Sequence, residues 1–241
     1  MKSYPLIKDR FVPPVVGVDL EQSLNFVDST GLDLEWFYTS FTYLKTFYKK
    51  GSRPFLEQIV AESVNSTAAP LERVKQCLHL TGNKVKHFSN LGFRGPPDRG
   101  LSEEDLIRSG QGWCNEQTRV FLALTQICGF PSRVVFASCV EGGQPCGHVT
   151  SEVFVDEKWV LVDQTADFIF VDGRGKTVNV LDFKRDVKLR VEVDEKYHQA
   201  LMRDRQSAKD AAAWDSMVPY GKSTTPTNLF TNVGYCNYFI H

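Results

Sequence analysis

The chain has 241 residues, of which 42% are hydrophobic and 24% charged, with a formal net charge of -1. This composition is typical of a soluble globular protein and gives no electrostatic basis for a nucleic acid or an anionic membrane as a partner. No stretch reaches the roughly 18 apolar residues that span a bilayer, and the first residues lack the apolar run of a secretion signal. We therefore expect one cytoplasmic domain, and the composition leaves its oligomeric state open.

The N-terminal part, residues 1–93, shows the periodicity of helices from Asp33 to about Phe93. A first helix is predicted over 34–50, before Gly51, because apolar side chains recur there every three or four residues: Phe37, Phe41, Leu44 and Tyr48. Pro54 is typical of the first turn of a second helix. A third helix is predicted in "APLERVKQCLHL", where Leu71, Val74 and Leu78 share a face. The N-terminal part is thus predicted to be helical.

Residues 94–193 begin with a loop rich in proline and glycine, which leaves room for a short helix only at "SEEDLI". A longer helix is predicted from Asn115 to Cys128, ended by Gly129 and Pro131. Its apolar residues lie on one face, so we expect one buried side: Val120, Phe121, Leu124 and Ile127.

Short runs rich in β-branched and aromatic residues come next: "RVVFAS", "HVTSEVFV", "KWVLVD", "DFIFV" and "KTVNVL". Turn residues separate them, which predicts a mainly antiparallel sheet. In the C-terminal part, residues 194–241, a helix is predicted from Asp194 to Met217, followed by an irregular or extended tail. Helices first and strands later predict an α+β fold.

Six cysteines are few for this length, which favours reduced thiols: Cys77, Cys114, Cys128, Cys139, Cys146 and Cys236. Cys139, Cys146 and His148 raise the alternative of a zinc site. Their spacing, C-x6-C-x-H, lacks the paired C-x2-C of structural zinc sites. We therefore predict no metal and no cofactor.

Cys114 follows the turn "GQGW" and lies at the N-terminus of the predicted helix, directly before Asn115. The unpaired N–H groups at a helix N-terminus favour a thiolate and can also stabilise an oxyanion on an attacked carbonyl. Position alone does not separate a nucleophile from a packed thiol, so a base and an orienting group are needed.

A hairpin of "HVTSEVFV" and "KWVLVD" that turns at Asp156 and Glu157 supplies both groups. Facing residues then have numbers that sum to 313, which makes His148 and Asp163 diagonal neighbours on one face. A loop with an odd number of residues would place His148 and Asp163 on opposite faces unless a bulge corrected the register. Glu152 shares the face, either as a further partner of His148 or as a solvated or salt-bridged carboxylate.

These segments together resemble the transglutaminase-like core of the papain-fold cysteine enzymes over about residues 101–165. The resemblance rests on Gly-x-Cys at Cys114, "GFPSRV" after the helix, "HVTSEV" at His148 and "WVLVD" ending at Asp163. Thr150 departs from the pattern, since that family carries an aromatic residue there. Calcium regulation is not implied.

The resemblance implies that Cys114, His148 and Asp163 form a catalytic triad, in which Cys114 attacks an amide or ester carbonyl and forms a thioester. The Cys114 N–H is the predicted oxyanion donor, with Gln111 or Trp113 as a second contributor. The implied substrate is a peptide, a protein or a small amide.

Three functions stay open at this point. Hydrolysis by a peptidase or amidase is favoured, because small transglutaminase-like proteins are expected to be hydrolases more often. Acyl transfer to an amine is the alternative within the same chemistry. An inactive transglutaminase-like binding protein is the alternative from another class.

Overall fold

The computed structural model describes residues 25–27, 38–39, 42–87, 100–141, 144–202 and 232–241. Within this part of the chain the helices are α1 (Pro54–Ser63), α2 (Pro70–Lys84), α3 (Glu103–Ser109), α4 (Cys114–Ile127), α5 (Val180–Arg185) and α6 (Val187–Met202). The strands are β1 (Asn25–Val27), β2 (Lys86–His87), β3 (Gln111–Gly112), β4 (Ser132–Glu141), β5 (Gln144–Val155), β6 (Lys158–Asp163), β7 (Phe168–Ile169) and β8 (Asn232–Asn237).

In the described residues, six strands form an antiparallel sheet in the order β1-β8-β4-β5-β6-β7. The predicted α+β class with a mainly antiparallel sheet is therefore confirmed. The extended C-terminal tail takes an interior place, because β8 pairs with both β1 and β4. A separate parallel pair joins β2 to β3 and leads into α4.

The sheet is covered on both faces, and alternate residues of each strand enter different cores. Val134 and Phe136 of β4 pack with residues of α1 to α4 in one core. Val135 and Ala137 pack in the other core, which includes Val180 and Phe183 of α5 and Val193 and Tyr197 of α6.

The two predicted proline-initiated helices are present. α1 and α2 both begin with proline, where the missing N–H costs no intrahelical hydrogen bond. The short helix predicted at "SEEDLI" is α3, and the Ser102 hydroxyl caps it by accepting a hydrogen bond from the Asp105 N–H at 3.2 Å.

The first predicted helix is helical at residues 38 and 39, but its prediction is wrong for residues 42–50, which are irregular. Threonines and aromatic residues dominate this stretch and have low helix propensity. Tertiary contacts replace the helix: the Thr42 hydroxyl donates to Asn237 Oδ1 at 2.6 Å, and the rings of Phe47 and Phe239 lie 4.8 Å apart. Residues 34–37, 40 and 41 lie outside the described residues.

The prediction that the helix after Cys114 buries one face is also wrong. α4 is buried on all sides from Asn115 to Gln126, because α1, α2 and α3 cover the side that faces away from the sheet. Its charged residue Arg119 pairs with the buried Glu103 at 2.7 Å. A buried ion pair thus takes the place of a solvated face.

The strand predicted at "KTVNVL" is wrong, since this segment leads into α5. Asn179 and Asp182 form a capping box: the Asp182 N–H donates to Asn179 Oδ1 at 2.9 Å, and the Asn179 N–H donates to Asp182 Oδ2 at 3.0 Å. Only an isolated bridge joins Thr177 to Val171 in this described stretch.

The helix predicted from Asp194 begins earlier, at Val187, and its predicted end over residues 203–217 lies outside the described residues. The boundaries at residues 93 and 193 stay predictions. Across the described residues, none of the helices combines the length and the apolar character that a bilayer crossing needs.

Candidate active site

The turn before α4 is shaped by two glycines. Gly110 ends α3 with a φ of 72°, a left-handed conformation that suits glycine, and its carbonyl accepts a hydrogen bond from the Lys86 N–H at 2.9 Å. A Cβ at Gly112 would lie 2.7 Å from Glu116 Cβ and 3.1 Å from Val85 Cγ1. The close packing of this turn on α4 therefore requires glycine at position 112.

Trp113 directly precedes α4 and is anchored on both sides. Its backbone N–H donates to Glu116 Oε2 at 3.0 Å, and its ring meets the ring of the buried His87 edge-on at 5.3 Å. Cys114 is then the half-buried first residue of the helix, where backbone N–H groups have no acceptor within the helix. An oxyanion contact from Trp113 would therefore have to come from its indole.

The predicted hairpin has the predicted register: Glu152 faces Leu161, and Phe154 faces Trp159. Asp156 and Glu157 form the turn with positive φ values of 50° and 62°, the conformation of a two-residue turn that matches the strand twist. The hairpin loop has an even number of residues. The side chains that alternate along the two strands therefore stay on the predicted face.

His148 and Asp163 meet on that face. His148 Nε2 lies 2.8 Å from Asp163 Oδ2, and the side chains are 6% and 0% exposed. Asp163 also accepts hydrogen bonds from the Tyr197 hydroxyl and from the backbone N–H groups of Thr165 at 2.8 Å and Ala166 at 3.3 Å. These donors satisfy both carboxylate oxygens, which is what permits a charge at a fully buried position.

The electrostatics favour an ion pair. Burial opposes charge on His148, but the Asp163 charge and hydrogen bond, together with Cys114, raise the pKa of His148 from 6.5 to about 10. Burial likewise disfavours the Asp163 anion, yet His148, Tyr197 and the Ala166 N–H lower the pKa of Asp163. The surroundings of His148 therefore favour its protonated form, and Cys114 is within interaction range of the ring.

A network of buried polar groups fixes α4 against the hairpin. The Thr118 hydroxyl lies one turn after Cys114 and contacts the Cys114 carbonyl at 2.7 Å and Gln164 Oε1 at 3.0 Å. Gln164 in turn donates to the Ser151 hydroxyl at 2.6 Å. Because Gln164 directly follows Asp163, this chain sets the position of the helix N-terminus relative to the His148–Asp163 pair.

A second connection runs through Gln117. Its Nε2 donates to the Val85 carbonyl at 2.8 Å, and its Oε1 accepts from the Thr165 hydroxyl at 2.9 Å. The segment after Asp163 is thereby tied both to α4 and to the end of α2.

Glu152 does not contact His148, and of the two predicted roles the salt bridge is confirmed. Glu152 Oε2 lies 2.6 Å from Arg133 Nη2, and both side chains are fully buried. The rings of Tyr38, Trp159 and Tyr235 surround the Arg133 guanidinium.

A cavity of about 310 Å³ lies next to the segment that follows Asp163. Polar residues contribute most of its wall: His79, Asn83, Lys86, His87, Gln117, Gln164, Thr165 and Asp167. Gln111 is half-buried and does not line this cavity, although it pairs with the lining residue Lys86 in the β2–β3 ladder.

Sequence reasoning missed Tyr197, Thr118 and Gln164 as partners of the site. Thr118 follows Cys114 by one helical turn and Gln164 follows Asp163 directly, so their spacing was a usable signal. Tyr197 is 34 positions from Asp163 and reaches it only because α6 packs on the far side of the sheet.

No group of three or more His, Cys, Asp or Glu side chains that could hold a metal ion is found among the residues that the structure describes. Backbone register places Cys139 directly opposite Cys146 on β4 and β5.

A cysteine begins the buried helix α4, and the His148–Asp163 pair lies close to it on the antiparallel sheet. Residues 57–164, somewhat less than half of the chain, match the model of the transglutaminase-like superfamily core. The match begins well before residue 101, where the sequence resemblance was predicted to start, and it covers most of α1 and all of α2.

Two solved structures are similar in part. One is a candidate cysteine protease from Cytophaga hutchinsonii, with 18% identity and a TM-score of 0.40 over 66% of this chain and 51% of that one. The other is described as a TGase, with 17% identity and a TM-score of 0.37 over 55% of this chain and 36% of that one. The chain thus spans about half or less of their lengths. Comparison with curated proteins gave no match.

Proposed function

We propose that the chain is a cysteine-dependent enzyme that breaks an amide or ester bond through a thioester on Cys114. The observation that carries this proposal is the buried His148–Asp163 pair, with 2.8 Å between its nitrogen and oxygen and with Cys114 within interaction range of the His148 ring. The transglutaminase-like core, at residues 57–164, supports cysteine chemistry of the hydrolase or acyltransferase type.

The proposed reaction begins with the proton of the Cys114 thiol on His148. Because His148 Nε2 is engaged by Asp163, Nδ1 is the nitrogen that exchanges protons with the thiol and the substrate. The thiolate attacks the carbonyl carbon, and the N–H of Cys114 stabilises the oxyanion. The intermediate then expels the amine, which takes the proton from His148, and the thioester remains.

In the second half of the reaction, His148 removes a proton from water, and the resulting hydroxide equivalent displaces the thiolate as the free acid forms. Asp163 keeps its charge throughout and stabilises the imidazolium. We propose water as the acceptor, because the polar side chains of Gln117, Gln164 and Thr165 line a cavity beside the segment that follows Asp163, and such a cavity can hold water.

A burst experiment tests this proposal. The chain is mixed with excess p-nitrophenyl acetate, and p-nitrophenol release is followed while mass spectrometry locates the acetyl group. We expect a stoichiometric burst and an acetyl adduct on Cys114. Cys114→Ala removes both, whereas Cys128→Ser, which alters another half-buried thiol, retains them.

The acceptor is tested in the same reaction by adding glycinamide. Acetate as the main product at tens of millimolar amine supports hydrolysis. Acetylglycinamide as the main product instead indicates an acyltransferase. A folded chain that shows neither a burst nor an adduct at Cys114 contradicts the enzyme proposal and favours an inactive binding protein.

A further inference from the structure

A second pair of thiols lies at the opposite end of α4 from Cys114. Cys128 directly follows the helix, Cys77 lies within α2, and their sulfur atoms are 3.6 Å apart. We propose that Cys77 and Cys128 form a redox modification site, which a hydroperoxide such as hydrogen peroxide converts to an intramolecular disulfide. This inference does not depend on the proposed function of Cys114.

The geometry allows bond formation with little movement. A disulfide has a sulfur–sulfur distance of about 2.05 Å, so the two atoms must approach by roughly 1.5 Å. Cys114 cannot replace either partner, because the 14-residue helix α4 separates it from Cys128 by roughly 20 Å.

The two thiols are unequal in environment. A hydrogen bond from Cys77 lowers the pKa of Cys128, and the Arg73 charge acts in the same direction against burial. The hydrogen bond with Cys128 and burial raise the pKa of Cys77. Cys128 is half-buried whereas Cys77 is fully buried, so Cys128 is the thiol that meets the oxidant first.

Arg73 is held in place for this role. Its Nη2 donates to the Cys128 carbonyl at 2.8 Å, and its guanidinium lies 4.9 Å from the centre of the Phe130 ring. A fixed cation beside Cys128 stabilises the thiolate that attacks a peroxide oxygen.

The reaction balances in two steps. The Cys128 thiolate attacks one oxygen of hydrogen peroxide, the O–O bond breaks, and hydroxide leaves as Cys128 becomes a sulfenic acid. The Cys77 sulfur then attacks the Cys128 sulfur, its proton leaves with the sulfenic hydroxyl, and water is released. Overall two thiols and one peroxide give one disulfide and two waters.

The disulfide would join α2 to the end of α4. α2 also carries His79, Gly82 and Asn83, which line the cavity beside the candidate active site and begin two residues after Cys77. The cross-link would therefore fix one wall of that cavity to the helix that carries Cys114. Closing this loop is expected to raise the Tm by about 5–10 °C.

The test uses the full chain with Cys114→Ala, so that the proposed nucleophile cannot consume the oxidant. After treatment with a small excess of hydrogen peroxide, non-reducing peptide mapping should find Cys77 linked to Cys128, and dithiothreitol should reverse the link and the rise in Tm. Cys236→Ser, which alters another buried thiol, should leave the result unchanged.

Two further variants separate the roles of the thiols. In Cys77→Ser, dimedone should capture a sulfenic acid on Cys128. In Cys128→Ser, capture on Cys77 should be at least several-fold lower.

The proposal is overturned if peroxide leaves Cys77 and Cys128 reduced, or if it links only Cys139 to Cys146. Mapping of the chain with both thiols intact decides this even if a serine variant does not fold.

Discussion

Asp163 and Glu152 lie on the same face of the β5–β6 hairpin, and each is fully buried beside a cation. Asp163 meets His148 at 2.8 Å, and Glu152 meets Arg133 at 2.6 Å. The two pairs are alike in charge, burial and geometry. They differ in which cation is used and in what surrounds it.

Arg133 cannot give up its proton in a protein, and three aromatic rings enclose it, with ring centres 4.1 to 4.6 Å from the guanidinium carbon. His148 has an ordinary pKa near neutrality and lies close to the first residue of α4. Under the proposed function, the same kind of buried ion pair is structural at Arg133 and reactive at His148. The proton affinity of the cation and its access to a nucleophile make the difference.

The largest expected effect separates the two carboxylates by function. Asp163→Asn should slow the burst with p-nitrophenyl acetate by about 10³–10⁴-fold, because an amide cannot stabilise the imidazolium. Glu152→Gln should leave the burst rate per folded molecule within about threefold of the unaltered chain. An Asp163→Asn variant that keeps a tenth of the rate would contradict the proposed role of Asp163.

The next effect is on stability. Glu152→Gln leaves the Arg133 charge buried without its anion, which is expected to lower the free energy of unfolding by about 3–5 kcal/mol in urea denaturation. Glu157→Gln alters an exposed carboxylate of the same hairpin and should change the free energy of unfolding by less than about 0.5 kcal/mol. Equal losses in the two variants would argue against a structural role for the Arg133 pair.

The pairs should also differ in their response to pH. The pKa of His148 is about 10 in the folded chain and about 6.5 when unfolded, so its stabilisation is complete below pH 6.5 and is lost as pH rises toward 10. Urea denaturation between pH 6 and 10 should show this decline. Glu152→Gln should keep the same slope of unfolding free energy against pH, whereas His148→Gln should flatten it. An unchanged slope in His148→Gln would exclude His148 as the source of the pH dependence.

The smallest effect tests one hydrogen bond. Tyr197→Phe removes a donor that lowers the Asp163 pKa, so the burst rate should fall by about 3–10-fold and its acidic limb should move to higher pH. Tyr235→Phe removes a hydroxyl near the other pair, 2.9 Å from the Tyr38 hydroxyl, and should leave the pH profile unchanged. If both variants shift the profile alike, Tyr197 has no specific role in positioning Asp163.

Much of the hairpin could be predicted because its determinants are local. Strand alternation and a two-residue turn at Asp156 and Glu157 are enough to place His148 and Asp163 on one face. The helix that begins at Cys114 could also be predicted from local sequence. The glycine-containing turn before it, its apolar spacing and Gly129 at its end all lie within about twenty residues.

Predictions failed where distant contacts outweighed local pattern. The aromatic spacing over residues 42–50 suggested a helix, but packing against the C-terminal segment holds it irregular. α4 was expected to expose a polar face, yet Arg119 is buried because Glu103 of another helix neutralises it. In both cases the partner lies elsewhere in the chain, where periodicity carries no information.

Local sequence thus determined the α+β class, the hairpin register and the start of the helix at Cys114, because short-range turns and alternation specify them. Tertiary packing determined that Glu152 joins Arg133 rather than His148, and that Tyr197 of α6 completes the Asp163 site. Those outcomes depend on burial and on contacts between residues far apart in the chain, and such contacts form only when the sheet and its two helical layers assemble.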